Sequence, residues 1–450
     1  MKRRTIVRFR YSAMRTLLGG VLAGCLVWSL FAVADSPSKT PRGKHGDASA
    51  ERQLAELQKL KLPQDVTKAP VGLDPVVWAA YVPADNQMTP ERVELGRKLY
   101  FDKRLSRDNS VSCATCHDVT RGFTDQRAVS EGIEAQLGKR NAPTTLNAIL
   151  LQTFFWDGRS PSLDHQAGMP ILNPVEMGMP DEAAALKAIG DVPEYREAFK
   201  KAYGREMNYA DVGRAIAAFE RTLVFVDSPL RRFLNGDAAA ISAQARAGLE
   251  LFNGKARCAA CHQMNPSNPL GTDHRFHNVG VSARHQNFEE LAQKSLKALA
   301  EGTSEQKLDE LAVATDLSEL GRFMVTHDRS EIGSFRTPQI LNVGITGPYM
   351  HDGSMATLWD VMDHYNKGGE ANPFLDGGIE PLALTEAEID QVVAFLFTLT
   401  DVRFAAENQR QFELQKAVAK KQRPFRDEAM AQRKMLPFEQ RVTGANGQDK

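Results

Sequence analysis

A chain of 450 residues that is 42% hydrophobic and 25% charged is long enough for two or three domains and apolar enough to bury a core. Lys plus Arg and Asp plus Glu stand at 56 each, so the formal net charge is zero. The basic face of a nucleic-acid partner is not called for, and any docking surface for a charged protein is a local patch.

The N-terminus carries Lys2, Arg3, Arg4, Arg8, Arg10 and Arg15 ahead of an apolar run over 16–34, closed by the small residues Ala32-Val33-Ala34. This is the pattern of a cleaved export signal. Retention of the run as a membrane anchor is the second reading, since it is close to spanning length. A lipoprotein site at Cys25 is the third, and the apolar run beyond Cys25 argues against it. Residues 35–84 are polar and then broken by Pro63, Pro70, Pro75 and Pro83, which reads as a leader followed by a wrapping segment.

Thr89-Pro90-Glu91 starts a helix, with Thr as N-cap and Pro at the first helical position, and puts Val93, Gly96, Leu99 and Tyr100 on one face. Next come Cys113-Ala114-Thr115-Cys116-His117 and, 145 residues later, Cys258-Ala259-Ala260-Cys261-His262. One C-x-x-C-H is expected by chance about 0.001 times in such a chain. The spacing suits covalent haem: two thiols add to the haem vinyl groups, and the adjacent His comes under the iron as proximal ligand. A four-thiolate zinc site or a disulfide in each motif are the alternatives, but neither requires a His after both pairs.

Gly96-x-x-Leu99-Tyr100 before the first motif is matched by Gly248-x-x-Leu251-Phe252 before the second, a two-fold internal repeat. Helical periodicity runs over 209–223, and Pro229 with Asn235-Gly236 marks a boundary. Residues 288–320 form a charged helical excursion, and a capping box of Thr385 and Glu388 opens a closing helix. Few segments alternate with period two. The expected fold is therefore mainly α: two cytochrome c-type domains over 85–235 and 236–402, their haems facing a shared interface. A basic tail follows over 403–450, with 11 Lys and Arg against 6 Asp and Glu.

The chain resembles the bacterial di-haem cytochrome c peroxidase and MauG superfamily. The resemblance runs over about 95–400 and rests on blocks beyond the haem motifs. These are Arg140-Asn141-Ala142-Pro143-Thr144, Phe155-Trp156-Asp157-Gly158-Arg159, Asn173-Pro174-Val175-Glu176-Met177, Ala218-Phe219-Glu220-Arg221-Thr222-Leu223 and Thr346-Gly347-Pro348-Tyr349-Met350-His351-Asp352-Gly353. It implies a peroxidatic haem on His117 and an electron-transferring haem on His262, with Trp156 between them. Glu176 would be the distal acid-base group, a carboxyl able to move a proton between the two peroxide oxygens. Gln166 would orient the peroxide. A calcium ion would be held by the Asn141 side chain and the carbonyls of Thr346 and Pro348, hard donors suited to it.

Two positions depart from the peroxidases proper. Their second haem takes a Met fourteen residues after the His of the His-Asp-Gly block, where this chain has Tyr365, the MauG-type pattern. A phenolate stabilises higher iron states relative to a thioether. Met355, Met362 and His364 are the other candidates, and a packing tyrosine is a further reading. Between His117 and Arg140, where many peroxidases carry a blocking His, residues 118–139 contain none. The implied activity is reduction of hydrogen peroxide with electrons from a small cytochrome or cupredoxin. The alternatives are MauG-like oxidation of a residue on a partner protein and a plain electron-transfer cytochrome. A homodimer is one option for assembly.

Overall fold

Two glycines decide how the chain crosses itself. In the computed structural model, which describes residues 49–432 apart from 266–267, 285–286 and 301–302, the helix Pro90–Tyr100 starts where expected, the Thr89 side chain accepting from the Arg92 N–H. It crosses the helix Tyr209–Glu220 so closely that a Cβ on Gly96 would stand 1.8 Å from the Ala215 carbonyl oxygen. The second half repeats the device. The helix Ala243–Asn253 crosses Glu386–Phe397, and a Cβ on Gly248 would stand 1.9 Å from the Gln391 carbonyl oxygen. The aromatic that follows each glycine locks the crossing. Tyr100 meets Phe219 edge-on at 5.1 Å between centroids, and Phe252 meets Phe395 at 5.0 Å. The internal repeat is thus a steric requirement written twice, with the Thr385–Glu388 capping box starting the second closing helix.

The fold is mainly α. Its one sheet among the described residues pairs Phe276–His277 with Phe335–Arg336 antiparallel, Phe276 opposite Arg336. One apolar cluster gathers around the first helix crossing and a second around the other. The 288–320 excursion supplies helices Phe288–Ala300 and Glu305–Ala314 and a 3-10 turn Asp316–Leu320, which build a third, smaller cluster around Phe323 and Met324.

The flanks are built in as well. Helices Ala50–Lys59 and Pro75–Tyr81 bring Leu57 and Trp78 into the first cluster. The basic tail forms a helix, Ala405–Gln432, whose buried Gln415 accepts from the Leu358 N–H at 3.0 Å and donates to the Tyr349 hydroxyl at 3.0 Å. The expected signal over 1–34 and the end of the tail over 433–450 lie outside the described residues. Among the described residues no helix is long and apolar enough to cross a membrane.

Candidate haem sites

Each C-x-x-C-H motif is a single helical turn held by its surroundings. Ser112 and Thr115 form a capping box around Cys113–Cys116, and the His117 N–H donates to the Cys113 carbonyl at 2.9 Å. The Tyr100 hydroxyl donates to the His117 carbonyl at 2.9 Å. From the other side Gln53, 3% exposed, donates to the Ala114 carbonyl at 3.0 Å and accepts from the Val119 N–H at 3.1 Å. Nδ1 of His117 lies 3.3 Å from the Phe123 carbonyl oxygen, and Nδ1 of His262 lies 2.7 Å from that of Gly271. A carbonyl only accepts, so Nδ1 carries the proton and Nε2 keeps the lone pair a metal needs. Burial pulls His117 down to about 4 and lowers His262 too, which keeps both rings neutral.

The first motif opens onto a cavity of about 160 Å³ and the second onto one of about 390 Å³. Because the two cysteine pairs lie in different cavities, a joint four-thiolate zinc site is not assembled, and neither pair is bridged by a disulfide. The cavities share a wall that includes Asn141, Pro143, Leu151, Trp156 and Arg336. Trp156 is fixed within it at both ends. Its indole N–H donates to the Asn141 carbonyl at 2.9 Å, and its own carbonyl accepts from the Arg336 N–H at 2.8 Å.

Gln166 and Glu176 both line the first cavity. Gln166 ends the short helix Leu163–Gln166, and Glu176 sits in a turn held by Asn173, whose carbonyl accepts from the N–H groups of Glu176 and Gly178. Segment 130–138 packs against that turn. The Ile133 N–H donates to the Glu176 carbonyl at 2.9 Å, and a Cβ on Gly132 would stand 1.9 Å from the Val175 carbonyl oxygen. This segment, where a blocking His would stand, brings Ser130, Gly132 and Gly138 to the wall, none of them an iron ligand.

In the second cavity Tyr365 and Met362 line the wall from the helix Leu358–Asn366. His364 is turned away, 2% exposed and with Nε2 2.7 Å from the Val279 carbonyl oxygen, and Met355 is not part of the lining. Burial holds the Tyr365 hydroxyl well above its ordinary value, so a ferric ion would have to displace its proton to gain a phenolate. Asn141, Thr346 and Pro348 line the same cavity. The Asn141 amide nitrogen donates to the Arg127 and Ala128 carbonyls, which leaves Oδ1 as the hard donor calcium takes.

Two features carried no role in the sequence. The first is a group of buried arginines beside the shared wall. Arg140 and Arg159 pair with Asp157 at 2.7 and 3.0 Å; burial pushes that carboxyl up, but the two guanidiniums outweigh it and hold it at about 2. Arg336 is 4% exposed and pulled down to about 10 by burial, and its Nη1, like Nε of Arg140, is buried without a hydrogen-bond partner. Buried cationic donors of this kind want carboxylates. The propionates of a haem are such groups, so charge as well as sulfur and imidazole fits haem. The second feature is Glu220, 4% exposed and lining the first cavity. A signal for it existed in the sequence: a carboxylate one helical turn after Ile216, on the apolar face of 209–223.

Comparison with known proteins agrees with this assignment. A family model described as di-haem cytochrome c peroxidase matches residues 90–239. The chain is 38% identical over 320 residues to the methylamine utilization protein MauG of Methylorubrum extorquens, covering 70% of this chain and 80% of that one. It is 34% identical over 316 residues to the cytochrome c551 peroxidase of Pseudomonas aeruginosa, again 70% and 80%. A solved MauG-like protein associated with microbial copper homeostasis superposes with a TM-score of 0.60 at 29% identity, over 76% of this chain and 95% of that one.

Proposed function

Because the chain belongs to the di-haem cytochrome c peroxidase family, of which MauG is a relative, we propose that it reduces hydrogen peroxide at the His117 cavity with electrons relayed from an external donor through the His262 cavity. It is an oxidoreductase acting on peroxide and carries two c-type haems. The haems supply the iron and the redox chemistry; the chain supplies ligands, proton movement and the path between the centres. His117 would hold the iron of the first haem, and His262 with Tyr365 that of the second.

Glu176 takes the proton from the near oxygen of peroxide and returns it to the far one, so that the O–O bond breaks with water as the leaving group. The Gln166 amide orients the peroxide for that transfer. Trp156 offers a polarizable ring in the wall common to both cavities, and Asn141 from that wall, with Thr346 and Pro348 from the second cavity, would hold a calcium ion beside it. The protein works in the periplasm, with a small cytochrome or cupredoxin as donor.

The observation that carries this reading is the pair of haem motifs opening onto two cavities that share Trp156, with Glu176 and Gln166 in the first alone. An electron carrier has no use for those two side chains. Tyr365 in the second cavity favours one further reading, MauG-like oxidation of a residue on a partner protein, since a phenolate supports higher iron states. Replacing Cys113 and Cys116 by Ala should remove one haem mass and abolish peroxide consumption. Replacing Cys258 and Cys261 should remove the other haem and break transfer from a reduced cytochrome. Peroxide turnover that survives loss of the first haem would overturn the assignment of sites.

A further inference from the structure

Reduction of one H₂O₂ to two H₂O consumes two electrons and two protons. Glu176 moves a proton that the substrate already owns, so it does not provide either of the two that must enter from outside. The cavity is walled mostly by apolar side chains, and a second carboxyl group stands in it. Glu220 ends the helix Tyr209–Glu220, 4% exposed, and its Oε2 is buried without a hydrogen-bond partner. A buried carboxylate in that position would be costly, whereas the neutral acid is tolerated.

We propose that Glu220 is the proton-delivering carboxyl of the first haem cavity, refilled from solvent through Asp164. The inference rests on the peroxidase reading above and adds a second acid to it. The neighbouring groups permit the route. Asp164, on the helix Leu163–Gln166, has a side chain 17% exposed; it pairs with Arg221 and accepts from Asn86. Arg221 follows Glu220 in the chain, is 2% exposed, and its Nη1, like Oε2 of Glu220, is buried without a hydrogen-bond partner.

The titratable groups that act on Glu220 or share its cavity on this side are Arg221 and Asp164, Glu176, the Tyr100 hydroxyl on the helix Pro90–Tyr100, and the Cys113 thiol of the first motif. Burial pushes the Glu220 carboxyl up to about 8; Arg221 opposes this and Asp164 adds to it. Its ordinary state at neutral pH is therefore the protonated acid, ready to donate. In each turnover the acid gives its proton to the peroxide-derived oxygen as the donor's electrons arrive. The resulting carboxylate regains a proton by way of Asp164, and the second proton follows the same path. Two electrons and two protons then balance two waters.

The test is an infrared pH titration of the oxidised holoenzyme, following the C=O stretch of a protonated carboxylic acid. That band should be present at neutral pH, disappear with a midpoint near 8, and be absent from Glu220→Gln. In that variant kcat with saturating donor should fall by about 10²-fold. The first reaction of the ferric protein with peroxide, which depends on Glu176, should keep its rate. Glu220→Gln is nearly isosteric, and covalent haem content reports whether it assembles; if it does not, Glu220→Asp, which keeps an acid at the position, should shift the frequency and midpoint of the band, and an unmoved band would overturn the proposal. No acid band at neutral pH, a band that survives in Glu220→Gln, or an unchanged kcat would overturn the proposal. Failure of the peroxidase reading is a separate result: a wild type that shows the band but consumes no peroxide.

Discussion

Gly132→Ala should damage catalysis at a distance from any haem ligand. The added Cβ would stand 1.9 Å from the Val175 carbonyl oxygen and 2.6 Å from that of Glu176, where real contacts hardly ever fall below 3.0 Å. The turn must therefore retreat by about 1 Å, and both obstacles are backbone, which has no rotamer to give. Retreat also stretches the bond from the Ile133 N–H to the Glu176 carbonyl, now 2.9 Å, worth about 1 kcal/mol. With the strain of overpacking, the expected loss of stability is about 1–3 kcal/mol. The catalytic effect should be larger, since misplacing a reacting group by about 1 Å can cost about 10²-fold. The assay is the second-order rate of ferric holoprotein with H₂O₂, normalised to covalent haem, with Gly377→Ala as control because a Cβ there meets nothing within 4 Å. A Gly132→Ala protein with both haems and an undiminished rate would refute the argument that this contact sets the Glu176 position.

Glu176→Gln keeps shape but not proton transfer, so both haems should remain while peroxide activation slows by about 10²–10⁴-fold in stopped-flow mixing. Tyr365→Phe should turn the low-spin ferric signal of the second haem toward high spin in electron paramagnetic resonance, and an unchanged spectrum would move the distal ligand to Met362. Arg336→Met, which removes a buried guanidinium with an unpartnered Nη1, should lower haem retention during maturation or shift the reduction potential of a haem in redox titration. Normal haem content with both potentials unchanged would show that Arg336 meets no propionate.

Much of this was legible because the chemistry imposes short, fixed spacings. The C-x-x-C-H motifs are set by haem, and Gly96 and Gly248 by helices too close for a side chain. The capping residues Thr89 and Thr385 announced their helices for the same local reason. What escaped depends on contacts between distant parts of the chain. Gln53 bridges Ala114 and Val119 from a segment expected only to wrap. The basic tail was expected to drape over the surface and to be partly helical, and it does form a helix; its anchoring through Gln415 and Phe412 is what the sequence did not show. Arg140 and Arg159 stood in the sequence only as members of two separate blocks and Arg336 in none, and only the fold buries them together. Of the four candidates the sequence offered for the distal ligand, Tyr365 and Met362 line the cavity while Met355 and His364 do not, a sorting that depends on how the helix Leu358–Asn366 packs.

On the proposed reading, peroxide would reach the iron held by His117 without displacing a residue of this chain, and its oxidising equivalents would be shared with the iron held by His262. Residues 118–139 hold no His, and the wall they form offers only Ser130, Gly132 and Gly138. Of that segment, the residues that reach the cavity would offer the iron no ligand before substrate arrives. The direct measurement is stopped-flow mixing of fully ferric holoprotein with one equivalent of H₂O₂, with both haem spectra followed together. The account predicts immediate reaction without added reductant and simultaneous change at both haems. A ferric protein that stays inert until one electron is supplied would contradict it.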